Sequence, residues 1–229
     1  MRVTVIIPTL DEDQSLANTI GSVLSDGEGR GDNVEVIVVD GCSTDNTTRV
    51  ARDMGVKVLT TLRGRGLQMD EAAALAAGEV LLFLHADTSL PEGWYEAVRS
   101  AMDDREVVVG AFTLSIDSRK KWFRVLERGV SLRSTRFGLI YGDQAIFVRR
   151  QAFIDAGGFR HLPLMEDVDC VSRMKAVGKL RVLDEAVVTS RRRWEAKGII
   201  GNSVRNITYL MLYYMGVSPE RLCSWYYSH

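Results

Sequence analysis

The sequence predicts an α/β fold: a single domain with a mainly parallel, doubly wound sheet and a C-terminal helical extension. The first observation is a set of short, β-branched apolar runs, each typical of a buried strand: Val3 to Ile7, Val34 to Val39, Val56 to Thr60 and Val80 to Leu84. The second is helical spacing in the segments between them, Gln14 to Leu24, Thr47 to Met54 and Gln68 to Ala77. Alternating strands and helices indicate βαβ crossovers and therefore a parallel sheet.

The second half of the chain departs from this strict alternation. Its strand-like runs are Val107 to Ile116 and Ala145 to Val148, and its helical segments are Trp122 to Leu132, Glu166 to Val177 and Ile199 to Met215. The length of 229 residues suits one well-buried core. We therefore expect a nucleotide-binding half over 1–105, an acceptor-binding and catalytic half over 106–195, and a helical extension over 196–229.

Composition and charge narrow the class of protein. A net charge of -1 gives no general basic field, so we expect no nucleic-acid partner. The three cysteines, Cys42, Cys170 and Cys223, have no metal-ligand spacing and fit free thiols in a reducing compartment. The first residues show no signal segment, which favours a cytoplasmic location.

The apolar segment Ile207 to Val217 has two interpretations. It is about half as long as the roughly 20 residues needed to span a bilayer, and it contains three tyrosines. Such a helix either packs on the core or lies on the inner face of the membrane, where a lipid-linked acceptor would be met.

Polar residues follow each of the first four predicted strands. In open parallel sheets, ligands bind outside the carboxyl ends of the strands. This rule selects the residues that follow the four strands: Pro8, Thr9, Asp11 and Glu12 after the first, Asp40 to Asp45 after the second, Arg63 to Gln68 after the third and His85 to Thr88 after the fourth. We expect Asp40 to contact the base or ribose of a nucleotide, whereas Ser43 and Asp45 are typical turn or helix-cap residues.

Asp87 lies after a very apolar strand, so its carboxylate is expected at the mouth of the cleft. Such a group suits a hard divalent ion that also binds phosphate oxygens, although a turn residue ahead of a helix near Pro91 is the alternative. His85 can bind a metal or a phosphate, and it can equally be structural.

Two later clusters carry charge. Glu166, Asp167 and Asp169 lie at the start of a predicted helix, where acids are favoured for structural reasons alone. Arg193 and Trp194 end a basic run whose guanidinium groups suit a diphosphate and whose indole suits a sugar face; a solvated basic run is the alternative. Arg65, between two glycines, is a further candidate for phosphate binding.

Together these motifs resemble glycosyltransferase family 2, an inverting group with the GT-A fold. VIIPTLDE is similar to the opening strand and nucleotide loop of the family, VVDGCSTDNT to its second-strand motif, LLFLHADT to its D-x-D segment, and GGF with MEDVD to its acceptor and base region. The segments GRGLQMDEAAALAAGEVLLFLHADT and GDQAIFVRR resemble a bacterial subgroup of this family.

The resemblance implies a role for individual residues. Pro8, Thr9, Glu12 and Asp40 would hold the nucleoside of a UDP or GDP sugar, with Ala86 in the middle of the D-x-D segment. Asp87 would bind a divalent metal, Mg²⁺ or Mn²⁺, and Asp167 would be the general base. Asp143 and Glu166 would contact the acceptor. His85 replaces the first aspartate of D-x-D, and Ser190 stands where processive members carry glutamine, which disfavours a polymerase.

The sequence leaves two alternatives to transfer of a sugar to an acceptor hydroxyl. A nucleotidyltransferase would share the sheet and metal site, but the loop PTLDEDQS lacks the glycine and lysine expected after the first strand of such an enzyme. A non-catalytic nucleotide-sugar binding protein would explain His85, although Asp87, Asp167 and Arg193 together favour an enzyme.

Overall fold

The computed structural model describes residues 1–27, 33–118, 120–191 and 199–227. Its strands are β1 Val3–Thr9, β2 Val34–Asp40, β3 Lys57–Thr60, β4 Val80–Phe83, β5 Thr88–Ser89, β6 Val107–Ile116, β7 Ile146–Arg149 and β8 Lys179–Thr189. Its helices are α1 Leu16–Gly27, α2 Thr47–Asp53, α3 Arg65–Leu75, α4 Trp94–Asp103, α5 Lys121–Phe137, α6 Arg150–Asp155, α7 Glu166–Lys175, α8 Ile199–Tyr214 and α9 Pro219–Tyr227. A short 3-10 helix covers Gly142–Gln144.

The strands form one sheet in the order β3-β2-β1-β4-β7-β6-β8-β5. Parallel pairing joins β3 to β2, β2 to β1, β1 to β4 and β6 to β8. Antiparallel pairing places β7 between β4 and β6 and joins β5 to β8. The predicted single α/β domain with a mainly parallel sheet is therefore confirmed. The direction of strand pairing changes from parallel to antiparallel at β7, in the part of the chain where the alternation of predicted strands and helices stops.

Helices cover both faces of the sheet because successive strand residues point to opposite sides. Val5 and Ile7 of β1 join a core with residues of α1 and α4. Ile6 lies on the other face with residues of α3 and α7. The near-continuous apolar sequence of the early strands follows from this burial on two faces.

Some elements differ from the sequence prediction. β3 begins at Lys57 and is half-exposed rather than buried, because it is an edge strand with β2 as its sheet neighbour. β8 was not predicted, since charged residues interrupt its apolar pattern, and β5 has only two residues. α6 and α9 were not predicted either. The division of the chain at 105/106 and 195/196 stays a prediction.

Candidate active site

The ends of β1 and β2 bring Thr9 and Asp40 together, as expected of parallel neighbours. The two residues are paired in register and both are buried. Thr9 Oγ1 donates a hydrogen bond to Asp40 Oδ1 at 3.4 Å. The Asp40 carboxylate also accepts bonds from the Ser43 backbone N–H at 2.9 Å and from the Ser43 hydroxyl. The carboxylate is thus held at the carboxyl end of β2, beside Thr9.

The loops that follow β1 and β2 are tied to each other by side-chain bonds to backbone groups. Asp11 N donates to Ser43 Oγ at 2.9 Å, Thr44 N to Asp11 Oδ1 at 2.7 Å, and Glu12 N to Thr47 Oγ1 at 2.8 Å. These bonds satisfy backbone groups that no strand or helix can satisfy. The two loops therefore form one preorganised unit.

Ser43 and Asp45 have the structural roles that the sequence predicts for them. Asp45 accepts hydrogen bonds from the Thr47 hydroxyl, from the Thr47 backbone N–H and from the Asp13 backbone N–H. Desolvation acts to raise the pKa of Asp45, but these bonds outweigh it and hold the pKa below its usual value. The N-cap position itself is Asn46, one residue later than Asp45.

Gln68 ends the segment selected after the third strand, but its role as a positioning residue was not predicted from the sequence. Its buried side-chain amide donates to the carbonyl oxygens of Thr9 at 2.9 Å and Val39 at 2.8 Å. It therefore connects the carboxyl ends of the neighbouring strands β1 and β2. A polar residue on the apolar face of α3 is the signal that would have found it, because buried amides are almost always hydrogen-bonded.

Arg65 and Glu166 lie at the first positions of α3 and α7 and form an ion pair. Glu166 is buried, and Arg65 Nη1 lies 3.5 Å from His85 Nε2. Arg65, expected to bind phosphate, thus shares its guanidinium with a carboxylate of the protein. Glu166, expected to contact the acceptor, lies beneath Arg65.

Asp167 points in another direction from its two acidic neighbours. Its Oδ2 accepts the Gly142 backbone N–H at 2.7 Å, and its Oδ1 accepts that of Val168 at 2.8 Å. A Cβ on Gly142 would stand 2.9 Å from His85 Nε2 and 3.3 Å from Asp167 Oδ2. Glycine at position 142 therefore allows the histidine and the carboxylate to approach the same backbone.

Asp169 is held in a separate ion-pair network. It binds Arg160 at 3.2 Å and Arg173 at 2.8 Å, and it is buried. The three acids therefore separate. Glu166 and Asp169, three residues apart and so on one face of α7, are neutralised by arginines, and Asp167 faces the cleft.

A cavity of about 140 Å³ brings several of these residues together. Arg65, His85, Asp143 and Asp167 line it, with Tyr141 and Gly142 beside them and with Asn206, Tyr209 and Tyr226 from the C-terminal helices. Burial raises the pKa of Tyr141, whose ring lies 3.5 Å from the Arg133 guanidinium carbon. Tyr209 and Tyr226 were missed as site residues because they come from elements distant in sequence.

Asp87 lies in the turn before β5, next to the end of β8. Its backbone carbonyl accepts the Ser190 N–H at 3.0 Å, and no described residue bonds to its half-buried carboxylate. Ala86 is buried, and its carbonyl accepts the Thr19 hydroxyl. Arg193 and Trp194 lie outside the described residues.

Whether the candidate site suits a divalent metal depends on Asp87. Within the part of the chain that the structure describes, no three His, Cys, Asp or Glu side chains form a metal-binding group. An available single carboxylate nevertheless suits Mg²⁺, which takes few protein ligands and completes its shell with phosphate oxygens and water. Asp87 therefore fits a metal that would be held jointly with a diphosphate.

A larger cavity, of about 340 Å³, lies away from these residues. It is lined by Asp104, Val107 and Arg181, among others. Val107 begins β6, which runs in the same direction as β1. This cavity therefore lies toward the amino-terminal ends of the strands, opposite the candidate active site. None of the predicted site residues lines it.

Comparison with known proteins identifies the family to which this chain belongs. The model of "Glycosyl transferase family 2" matches residues 4–162. The chain is 32% identical to the undecaprenyl-phosphate mannosyltransferase of Micrococcus luteus, over 91% of this chain and 93% of that protein.

Solved structures share the fold. Residues 1–349 of S. aureus TarS superpose with a TM-score of 0.68 at 21% identity, over 83% of this chain and 60% of that one; the same fragment has been crystallised with UDP-GlcNAc. A mannosyltransferase from Pyrobaculum calidifontis, in complex with GDP-Man and Mn2+, gives 0.66 at 21% identity, over 82% of this chain and 56% of that one. With the GT-A fold and the family match both in place, the chain belongs to glycosyltransferase family 2.

Proposed function

We propose that the protein transfers a sugar from a nucleotide diphosphate to an acceptor hydroxyl with inversion at the anomeric carbon, and that Asp167 is the general base. The observation that carries the proposal is the separation of the three acids. Asp167 lines the cavity and is held by the Gly142 N–H, whereas Glu166 and Asp169 are occupied by arginines.

The donor would bind across the ends of β1, β2 and β4. Thr9 and Asp40 lie together there, and Pro8 and Glu12 belong to the loop that follows β1. We propose that Asp40 accepts a hydrogen bond from the base or ribose and that the donor is a UDP or GDP sugar. Complexes of TarS with UDP-GlcNAc and of the Pyrobaculum enzyme with GDP-Man support this class of donor.

The diphosphate would lie between Asp87 and the segment that follows β8. A divalent metal held by Asp87 would supply a positive charge to the leaving diphosphate. Ser190, three residues before Arg193 in the sequence, donates its N–H to the Asp87 carbonyl at 3.0 Å. Arg193 would stabilise the same charge from the protein side.

Inversion follows from a single displacement. The acceptor oxygen attacks the anomeric carbon from the face opposite the diphosphate, the bond from that carbon to the phosphate oxygen breaks, and Asp167 takes the hydroxyl proton. A positioned base of this kind contributes on the order of a hundredfold or more to the rate. Asp143, which lines the same cavity, and Glu166 beneath Arg65 are the proposed acceptor-side residues.

The name of the Micrococcus relative favours a second acceptor chemistry, a lipid-linked phosphate. A phosphate monoester is already about 1.5 to 2 charges negative at neutral pH, so its oxygen needs no base. Asp167 would then orient the acceptor rather than deprotonate it.

A peripheral membrane contact through Ile207 to Val217, at the inner face of a bacterial membrane, belongs to this proposal. Among the described helices, none is both long and apolar enough to cross a bilayer.

The experiment that tests the function is a thermal-shift panel of nucleotide diphosphates and their sugars with Mg²⁺ or Mn²⁺, followed by nucleotide release with and without acceptor. A native-state ligand raises the melting temperature by mass action. We expect UDP or GDP sugars to raise it and an acceptor to accelerate release. Unchanged melting temperatures across the panel would overturn the donor assignment, and release of pyrophosphate from a nucleoside triphosphate would indicate nucleotidyl transfer.

A further inference from the structure

The outer face of α5 exposes large apolar side chains. Trp122, Val125, Leu132 and Phe137 are 69%, 60%, 60% and 65% exposed. The first three follow helical spacing at positions i, i+3 and i+10, so they share one side of the helix. The inner side packs on the protein through Phe123, Val130 and Ser134. The exposed stripe is therefore additional to the surface that α5 needs for folding.

The same helix carries a strong local excess of positive charge, although the whole chain has 29 basic and 30 acidic residues. Its charged residues are Lys121, Arg124, Arg128, Arg133 and Arg136 against the single acid Glu127. Glu127 is turned inward, where it accepts the Ile116 N–H at 2.7 Å and pairs with Arg124. Lys121, Arg128 and Arg136 have no partner among the described residues.

Apolar side chains on a basic helix face are typical of a helix that lies in the surface of an anionic bilayer. The apolar groups enter the boundary between headgroups and acyl chains, tryptophan prefers that boundary, and lysine and arginine meet anionic headgroups. A second copy of the chain is disfavoured on this face, because two such helices would bring like charges together. Nucleic acid is disfavoured by the exposed Val125 and Leu132, which have no role at a phosphate backbone.

The position of α5 connects this face with the candidate active site. Arg133, near the C-terminal end of the helix, lies over the Tyr141 ring and donates to Gln144 Oε1 at 3.2 Å. Gln144 in turn anchors the short helix that presents the Gly142 N–H to Asp167. A surface in contact with α5 would thus be separated from the lining of the cavity by a single side chain, that of Arg133.

We propose that the outer face of α5, defined by Trp122, Val125, Leu132 and the cations Lys121, Arg128 and Arg136, docks the enzyme on an anionic phospholipid surface. The inference deepens the proposed function, on which its role in delivering a lipid-linked acceptor rests. The binding itself requires no sugar donor, so its failure and the failure of sugar transfer are separable.

The test is co-sedimentation of the full chain with vesicles, in the absence of donor. One set contains phosphatidylcholine alone and the other contains phosphatidylcholine mixed with phosphatidylglycerol. We expect binding to the anionic vesicles that falls at high salt. Trp122→Ser with Leu132→Ser, and separately Arg128→Glu with Arg136→Glu, should each weaken the partition about tenfold or more.

Matched controls change the same residue types elsewhere. Leu62→Ser with Leu75→Ser removes two exposed leucines, and Arg49→Glu with Arg52→Glu reverses two exposed arginines on α2. Both controls should bind vesicles as the parent does, and a melting curve of each variant confirms folding. A donor thermal shift that survives in all variants separates docking from donor binding.

Several outcomes would overturn the inference. They are equal binding to both vesicle types, binding unchanged in both α5 variants, and no binding at all. Loss of binding in Ile207→Ser with Met211→Ser, but not in the α5 variants, would assign the contact to α8 instead. Concentration-dependent dimerisation that the α5 variants abolish would assign the face to a second copy.

Discussion

The loops proposed to bind the donor and the cavity proposed for catalysis are built in contrasting ways. On the donor side, the loops after β1 and β2 satisfy one another through short polar side chains, and Asp40 already accepts bonds from Thr9 and Ser43. At the cavity, Asp167 is positioned by Gly142 from a distant segment, and aromatic residues of α8 and α9 complete the lining. The first region is organised by short motifs and the second by tertiary packing.

Backbone conformation shows the cost of both arrangements. Among the described residues, the non-glycine positions with left-handed φ are Asp11, Cys42, Ala145 and Met165. Two lie in the donor-side loops and two flank the cavity elements. Such conformations each cost about 1–3 kcal/mol, and they persist where the surroundings fix them. Both regions are therefore held in shape before a ligand binds.

The strongest test of the contrast is Asp167→Asn. If Asp167 is the base, this near-isosteric change should lower turnover by about a hundredfold or more while donor affinity is unchanged, because the cavity keeps its shape. Initial rates and donor titrations on the same samples measure both quantities. Asp169→Asn is the matched control: it breaks an ion-pair network outside the cavity, so it should lower the melting temperature and leave donor affinity unchanged.

Near-normal turnover in Asp167→Asn would reject the base assignment. A small loss without a change in the pH dependence of the rate would instead support the phosphate acceptor, whose oxygen needs no deprotonation. The same large loss in Glu166→Gln alone would move the base by one residue.

Asp87→Asn should give a different signature, with both donor affinity and rate reduced. We expect a loss of about tenfold or more in donor affinity when Mg²⁺ or Mn²⁺ is present, since the carboxylate is proposed to hold the metal jointly with the diphosphate. Titrations with and without metal provide the measurement. Equal donor affinity of parent and variant in both conditions would contradict the proposed role.

Asp40→Ala should weaken nucleotide binding by about tenfold, the effect of losing one hydrogen bond to a charged group. Calorimetry with the nucleoside diphosphate measures this affinity. Ser43→Ala removes an internal partner of the same carboxylate and should lower stability more than affinity. Unchanged affinity in Asp40→Ala would show that the base and ribose site is elsewhere.

The smallest expected effect concerns Glu35, at the opposite end of β2. Its carboxylate accepts bonds from Thr4, Lys57 and the Ala77 N–H. Burial acts to raise its pKa, but these contacts outweigh it, and the pKa lies below its ordinary value of 4.5. The group therefore stabilises the fold fully above about that pH, and the contribution is lost as pH falls through the lowered pKa.

Glu35→Gln should accordingly reduce the free energy of unfolding by about 1–2 kcal/mol at neutral pH. The difference from the parent should shrink in acid, where both proteins carry an uncharged side chain. Urea unfolding at several pH values is the measurement, with turnover per folded molecule unchanged. Glu106→Gln, in an exposed ion pair with Lys179, is the control and should show little effect at any pH.

The sequence by itself determined the parallel half of the sheet and the polar residues that follow the carboxyl ends of its strands. Buried strands and their crossover helices leave local patterns of period 2 and 3.6, and polar residues such as Asp40 and Asp87 directly follow such strands. Family resemblance, carried by ordered motifs, predicted the GT-A fold. Element boundaries moved by a few residues, as at β3 and α3, because caps and edge exposure depend on neighbours.

Only the tertiary structure decided which polar groups are occupied and which face the cavity. Helical spacing placed Asp167 on a different side from Glu166 and Asp169, but the partner of Glu166 is Arg65, which comes from a helix far away in sequence. Asp169 is paired by Arg173 of its own helix and by Arg160 of the preceding loop, which the fold brings back onto α7. Gln68, Tyr209 and Tyr226 entered the site through contacts between distant elements. A local pattern records which way a side chain leaves its own helix or strand, and it carries no information on what another segment brings to meet it.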